Sequence, residues 1–192
     1  MTNIRKMMKK DIERVEMICL ATADEHCNSS HKMRENTLNM YCRYYTRAEI
    51  ENCFVLTDEN DNAVGYVLCA IDYDKYKKDF IKHELKAIRK IDLGRAISAR
   101  FEVALQKRYK GKFNAHLHID ILKDYQGCGG GTRLILALLS NLKGKNVNGV
   151  MLTVGKENKK AIAFYKKQGF KVIKNLGGAI VMGNSTDKHT FS

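Results

Sequence analysis

The chain has 192 residues, 44% of them hydrophobic and 29% charged, and its 34 Lys and Arg outnumber 21 Asp and Glu for a formal charge of +13. That length suits one domain with a sizeable core, and no apolar run approaches the roughly 18 residues of a membrane span. Six cysteines without a Cys-x-x-Cys pair argue against a zinc knuckle or a disulfide scaffold, and the charge excess either attracts polyanions or coats a solvated surface.

The N-terminus, Met1 to Lys6, is basic but no signal-like apolar segment follows it, so a cytoplasmic location is expected. Asn3 to Met7 reads as an edge strand. From Asp11, apolar Ile12, Val15, Ile18 and Cys19 recur at helical spacing and predict a helix to about Asp24. Residues 28–51 read as a second, irregular helical piece. Its tyrosines Tyr41, Tyr44 and Tyr45 suit either packing at a helix–sheet edge or the lining of a pocket. Asn52 to Thr57 and Ala63 to Ile71 are rich in β-formers and flank a polar turn, Asp58 to Asn62, which predicts a hairpin.

Residues 72–111 are long, charged and helical in preference. Ile81, Leu85, Ile88 and Ile91 form an apolar stripe that Ile97, Phe101 and Leu105 continue past Gly94. The many Lys and Arg of this section are either a solvated face or one wall of a binding site. Phe113 to Leu122 reads as the central strand, with His116, His118 and Asp120 on one face and Leu117, Ile119 and Ile121 on the other. Two His and one Asp on alternate positions invite a metal, but no fourth ligand accompanies them. Hydrogen bonding or proton transfer is a stronger reading than a metal, and otherwise the three are satisfied polar residues lining a half-buried face.

Gln126-Gly127-Cys128-Gly129-Gly130-Gly131-Thr132 then joins that strand to a helix marked by Leu134, Ile135, Leu138, Leu139 and Leu142. A strand–glycine loop–helix gathers free amides and a helix N-terminus on one anion site. It is not a P-loop, because no Gly-Lys-Ser/Thr follows, and Leu134 stands where a dinucleotide fingerprint needs its third glycine. Gly149 to Val154 is a strand. Glu157 or Asn158 caps a helix carrying Ala161, Ile162 and Tyr165, which Gly169 ends. Strands at Phe170 to Ile173 and Ala179 to Met182 complete the sheet, and 184–192 reads as a frayed tail of a single domain spanning 1–192.

Two motifs resemble one family. Gln126-x-x-Gly129-x-Gly131 is similar to the acyl-CoA loop of the Gcn5-related N-acetyltransferase (GNAT) superfamily. Asn158-x-x-Ala161-x-x-Phe164-Tyr165-x-x-x-Gly169-Phe170 is similar to that superfamily's downstream helix segment. The string His116 to Leu122 further resembles bacterial members related to the acetyltransferase-like domain of O-GlcNAcase. The resemblance implies an α/β fold with a mixed, centrally splayed β-sheet flanked by helices, the long helical section falling between the third and fourth strands.

It also implies acetyl-CoA as co-substrate, without a metal, and a small-molecule or peptide amine as acceptor. Membrane and nucleic acid are not expected as partners, and a homodimer stays open. Carried over, the amides of Gly127, Cys128, Gly129, Gly130, Gly131 and Thr132 hold the pyrophosphate, and Gln126 belongs to the same cofactor-binding loop. Main-chain groups of Ile121 and Lys123 meet the pantetheine arm, as does Asn158. Lys123 stands where the superfamily often has proline. Tyr165 is the expected acid toward the leaving thiolate, and Asp120, His118 or His116 the base, histidine having the more suitable ordinary pKa. Cys128 has no paired base for a covalent route. The competing expectation is a catalytically silent acyl-CoA-binding or protein-interaction module of the same fold.

Overall fold

A computed structural model of the chain describes residues 2–186. Strand β1 (Asn3–Lys6) leads into helix α1 (Ile12–Thr22), a short α2 (Glu25–Asn28), α3 (His31–Tyr41) and α4 (Arg43–Ala48). The hairpin follows as β2 (Phe54–Thr57) and β3 (Ala63–Ala70). Its turn is organised by Asp58, whose carboxylate accepts from the amides of Asn60 and Asn62, both at 2.9 Å.

The long charged section is three helices: α5 (Tyr73–Lys82), α6 (Glu84–Ile91) and α7 (Leu93–Gln106). Then come β4 (Ala115–Ile121), α8 (Gly130–Gly144), β5 (Gly149–Gly155), α9 (Lys159–Lys167), β6 (Lys171–Asn175) and β7 (Ala179–Ser185).

Seven strands form one mixed sheet in the order β1-β2-β3-β4-β5-β7-β6. One face carries the core built by α1 and α3 to α7, around Val15, Tyr45, Tyr76, Phe80 and Ile88. The other carries α8 and α9 over Val67, Leu117, Leu134, Leu138 and Leu152. Strand β3 is buried along all its residues because both faces are covered.

Three expectations change. The stripe read through residues 81–105 does not form. Ile81, Ile97 and Phe101 are exposed, while Tyr76, Phe80, Leu85, Ile88, Ala96, Ala99 and Val103 face the core. The cause is two breaks, at His83 and Asp92, that reset the helical phase. Asp72 and Asp92 cap α5 and α7, accepting from Lys75 and Arg95 amides at 2.8 and 2.9 Å. The irregular piece 28–51 is helical but divided, into the end of α2, all of α3 and α4, and the start of a 3-10 turn at Ile50–Asn52. The expected tail begins later, since Asn184 and Ser185 belong to β7 and Thr186 is buried. The rest of that tail, 187–192, lies outside the described residues. Among the described residues, no helix is long and apolar enough to cross a membrane.

Candidate active site

The sheet is continuous except at its centre. Along one edge β4 pairs with β3 antiparallel, from Gly65↔Ile121 to Ala70↔His116. Along the other it pairs with β5 in parallel at Ala115↔Val150 and His116↔Met151, and beyond these the strands part. The Leu122 amide donates to Val64 O at 2.9 Å, which fixes the parity of the ladder. By alternation, Ile119 and Ile121 turn their N–H and C=O groups away from β3 and into the parting. A ligand with amide groups of its own could pair there as a strand would.

The glycine loop lies directly beyond β4. Gly127 and Gly129 have φ of +80 and +75, which side chains with a Cβ rarely adopt. Gly130 is needed for another reason: a Cβ there would sit 2.7 Å from Leu56 Cδ2. Among the described residues, no amide from Gly127 to Thr132 donates to a carbonyl or side chain. These free donors and the start of α8 gather partial positive charge suited to an anion. Arg133 is turned aside to Thr2 O, at 2.7 Å.

Of the other expected loop residues, Gln126 donates from Nε2 to Ile121 O at 2.8 Å and so clamps the loop to the strand end. Lys123 is exposed, and its carbonyl accepts from the Gln126 amide at 3.2 Å. Thr132 Oγ1 accepts from Gln168 Nε2 at 3.1 Å. Cys128 is exposed, with its Sγ 3.7 Å from Gln126 O and no base beside it.

Asn158 is the N-cap of α9, its Oδ1 accepting from the Ala161 amide at 3.0 Å. Its amide nitrogen stays available for a ligand. Asn158→Ala removes the cap at a cost of about 1 kcal/mol, and the expected melting temperature falls by about 2–4 °C in a calorimetric scan.

Tyr165 and Asp120 stand on opposite faces of the sheet, so the parting lies between them. Tyr165 packs in the α8–α9 layer against the rings of Phe164 and Phe170. Burial, and secondarily the Asp120 charge, raises its phenol above the ordinary tyrosine value. It is therefore protonated at neutral pH and suited to give a proton. Asp120 accepts from the Tyr66 hydroxyl at 2.6 Å. Burial pushes its carboxyl up to about 6, with the Tyr66 and Thr22 hydroxyls opposing.

Burial pulls His118 down to about 4 and His116 to about 3, so both are neutral and weakly basic at pH 7. The ordinary histidine value that favoured them in sequence does not survive burial. His118 lies edge-on to Tyr41 and Tyr45, with ring centroids 5.2 and 5.5 Å away. Among the described residues no three His, Cys, Asp or Glu side chains are grouped to hold a metal ion.

On the histidine face, a cavity of about 450 Å³ opens between α7, β4, β5 and the β6–β7 turn. Here the tyrosine cluster divides. Tyr44 and Tyr45 are core, whereas Tyr41 lines the cavity and its hydroxyl accepts from Arg95 at 2.9 Å. The section 72–111 does supply one wall, through Phe101, Glu102, Leu105 and Gln106 and not through its basic side chains.

Residues 15–170 match the model of the acetyltransferase (GNAT) family. Among solved structures, the crystal structure of SsHAT aligns with a TM-score of 0.83 at 28% identity, over 96% of this chain and 98% of that one. PaiA N-acetyltransferase from Thermoplasma acidophilum, in complex with coenzyme A, aligns with a TM-score of 0.60 at 15% identity over 96% and 99%. An N-acetyltransferase from Staphylococcus aureus Mu50 aligns at 0.61 and 13% identity over 97% and 99%. These last two share the fold.

Proposed function

The chain belongs to the acetyltransferase (GNAT) family, and from that premise we propose that it transfers the acetyl group of acetyl-CoA to a primary amine in a ternary complex. The observation that carries this is the parting of β4 from β5 beside a loop of free amides. In this reading the amides of Gly127 to Thr132 hold the pyrophosphate. The pantetheine arm pairs with the inward-turned groups of Ile119 and Ile121, and Asn158 donates to it from α9. Lys123 closes the strand end. The resemblance of the His116 to Leu122 string supports kinship with bacterial relatives of the acetyltransferase-like domain of O-GlcNAcase as part of this reading.

The chemistry follows from which groups hold protons. Asp120, ionised above about pH 6, takes a proton from the acceptor ammonium, directly or through water. The amine nitrogen then attacks the thioester carbonyl, forming the C–N bond. A main-chain amide near Ile121 stabilises the developing oxyanion. The C–S bond breaks, the Tyr165 phenol protonates the departing thiolate, and the second proton that leaves the nitrogen as the amide forms restores the phenol through water. His118 lines the acceptor side as a neutral hydrogen-bonding group.

Calorimetric titration with acetyl-CoA, followed by thiol release over an amine panel, tests the proposal. Saturable binding with thiol release supports it. Binding with no release from any amine identifies a silent acyl-CoA module instead, and no binding ends both readings.

A pH dependence follows. Asp120 works only when deprotonated, so kcat/KM rises with pH through about 6 and levels above it. Asp120→Asn is expected to abolish this limb along with most of the rate. A profile flat from pH 5 to 7 in the unaltered enzyme would remove Asp120 as the base.

A further inference from the structure

The cavity beside the histidines has a composition that its surroundings do not suggest. Although the chain carries +13, among the described residues no Lys or Arg lines the cavity, and Glu102 is the one formally charged lining residue. That carboxylate is already paired with Arg95 at 2.8 Å. The walls are apolar and aromatic, among them Met40, Tyr41, Tyr76, Phe101, Leu105 and Tyr109. Arg95, which reaches the wall, is committed to the Glu102 carboxylate and the Tyr41 hydroxyl at 2.8 and 2.9 Å, so a carboxylate or phosphate on the acceptor would find no uncommitted cation among the lining residues. Rings edge onto rings favourably in such a space.

Polar groups interrupt these walls at the tyrosine hydroxyls, Glu102, Gln106, His116, His118 and Thr153, and two of their buried atoms have no hydrogen-bond partner among the described residues. His116 is 4% exposed and lines the cavity, and its Nε2 has no hydrogen-bond partner. Gln106, from the end of α7, lines it too, and its Oε1 is likewise buried and unpartnered. Unpaired buried polar atoms are costly, so a ligand that answers them is selected over one that cannot. Gln106 Oε1 can only accept. It requires an O–H or N–H from the ligand, and neutral His116 can meet the same kind of group.

We infer that the cavity selects an amine carried on an aromatic ring with a neutral hydrogen-bonding group at its far end, a hydroxyaryl alkylamine. This rests on the transferase reading above and specifies its acceptor. The dimensions agree. Along an extended strand, positions 116 and 118 are roughly 6.5 Å apart and 116 and 120 roughly 13 Å. A ring bearing a para hydroxyl and a two-carbon amine arm falls within that span, with its hydroxyl toward His116 and its nitrogen toward Asp120.

Tyramine and phenethylamine, which differ by the hydroxyl alone, test it. The expected kcat/KM for tyramine exceeds that for phenethylamine by about ten- to a hundredfold, and exceeds those for lysine, glucosamine and spermidine. Gln106→Leu, on a half-exposed helix end, and His116→Phe should each bring the tyramine-to-phenethylamine ratio toward one. Neither should change the Kd for acetyl-CoA, which also reports that the variants fold. Equal use of the two amines, or preference for a charged or sugar amine, overturns the inference while leaving the transferase reading intact. Direct calorimetric titration with tyramine, with and without acetyl-CoA, covers the case in which no transfer occurs. Binding weakened by Gln106→Leu then supports the cavity's selectivity, and absent binding overturns it.

Discussion

Tyr165→Phe lowers kcat by about a hundredfold and leaves the Kd for acetyl-CoA within about twofold, the effect expected of losing one positioned general acid. The change removes one oxygen and keeps the ring, so the contacts with Phe164 and Phe170 persist. No hydrogen bond from the hydroxyl to another described residue is broken. The loss therefore falls on the step in which the thiolate leaves. A second readout separates this from a packing effect: acetyl donors with better leaving groups should regain most of the lost rate, because they depend less on protonation. Unchanged turnover would take Tyr165 out of the mechanism and leave it a core aromatic.

Gly129→Val weakens acetyl-CoA binding by at least about tenfold, equivalent to about 1.4 kcal/mol. A Cβ at this position meets nothing within 4 Å, so the effect does not come from a clash. It comes from the backbone. With φ at +75, Gly129 is the left-handed N-cap of α8, a conformation a β-branched residue strongly resists. Valine would pull the chain toward negative φ and turn the amides of Gly130 to Thr132 off their common target. Gly129→Asn is the informative partner, since asparagine tolerates the left-handed region and should retain most of the affinity. Calorimetry on both variants, with circular dichroism to confirm the fold, decides the point. Native affinity in the valine variant would mean that the pyrophosphate does not sit on this loop.

Features written in local residue order were readable before the structure. The glycine run needed no partner to announce a tight strand–helix turn, and Asn158 is followed at the right distance by its capped amide. The alternation of His116, His118 and Asp120 with leucine and isoleucine matched the two faces of β4. What escaped notice depends on register or on distant partners. Ile119 joins Ile121 at the parting only because the pairing with β3 fixes which carbonyls turn outward. Burial raises the Asp120 carboxyl and lowers the two histidines, and no local pattern states how deep a residue lies. The helical section misled because its stripe runs across a break. Asp92, three residues before the Arg95 amide it caps, is the local mark of the second break. Gln106 carried no signal at all; its meaning comes from the cavity it reaches.

The meagre pairing between β4 and β5 also bears on how the molecule opens. The sheet is two leaves, β1 to β4 and β5-β7-β6, joined at its centre by two residue pairs. Elsewhere the ladders are longer: β5 and β7 pair from Gly149↔Ser185 to Gly155↔Ala179. The least costly sub-global opening therefore separates the leaves while each keeps its own ladders. In native-state hydrogen exchange, β5, β6, β7 and α9 should behave as one cooperative unit, distinct from the leaf that contains the glycine loop.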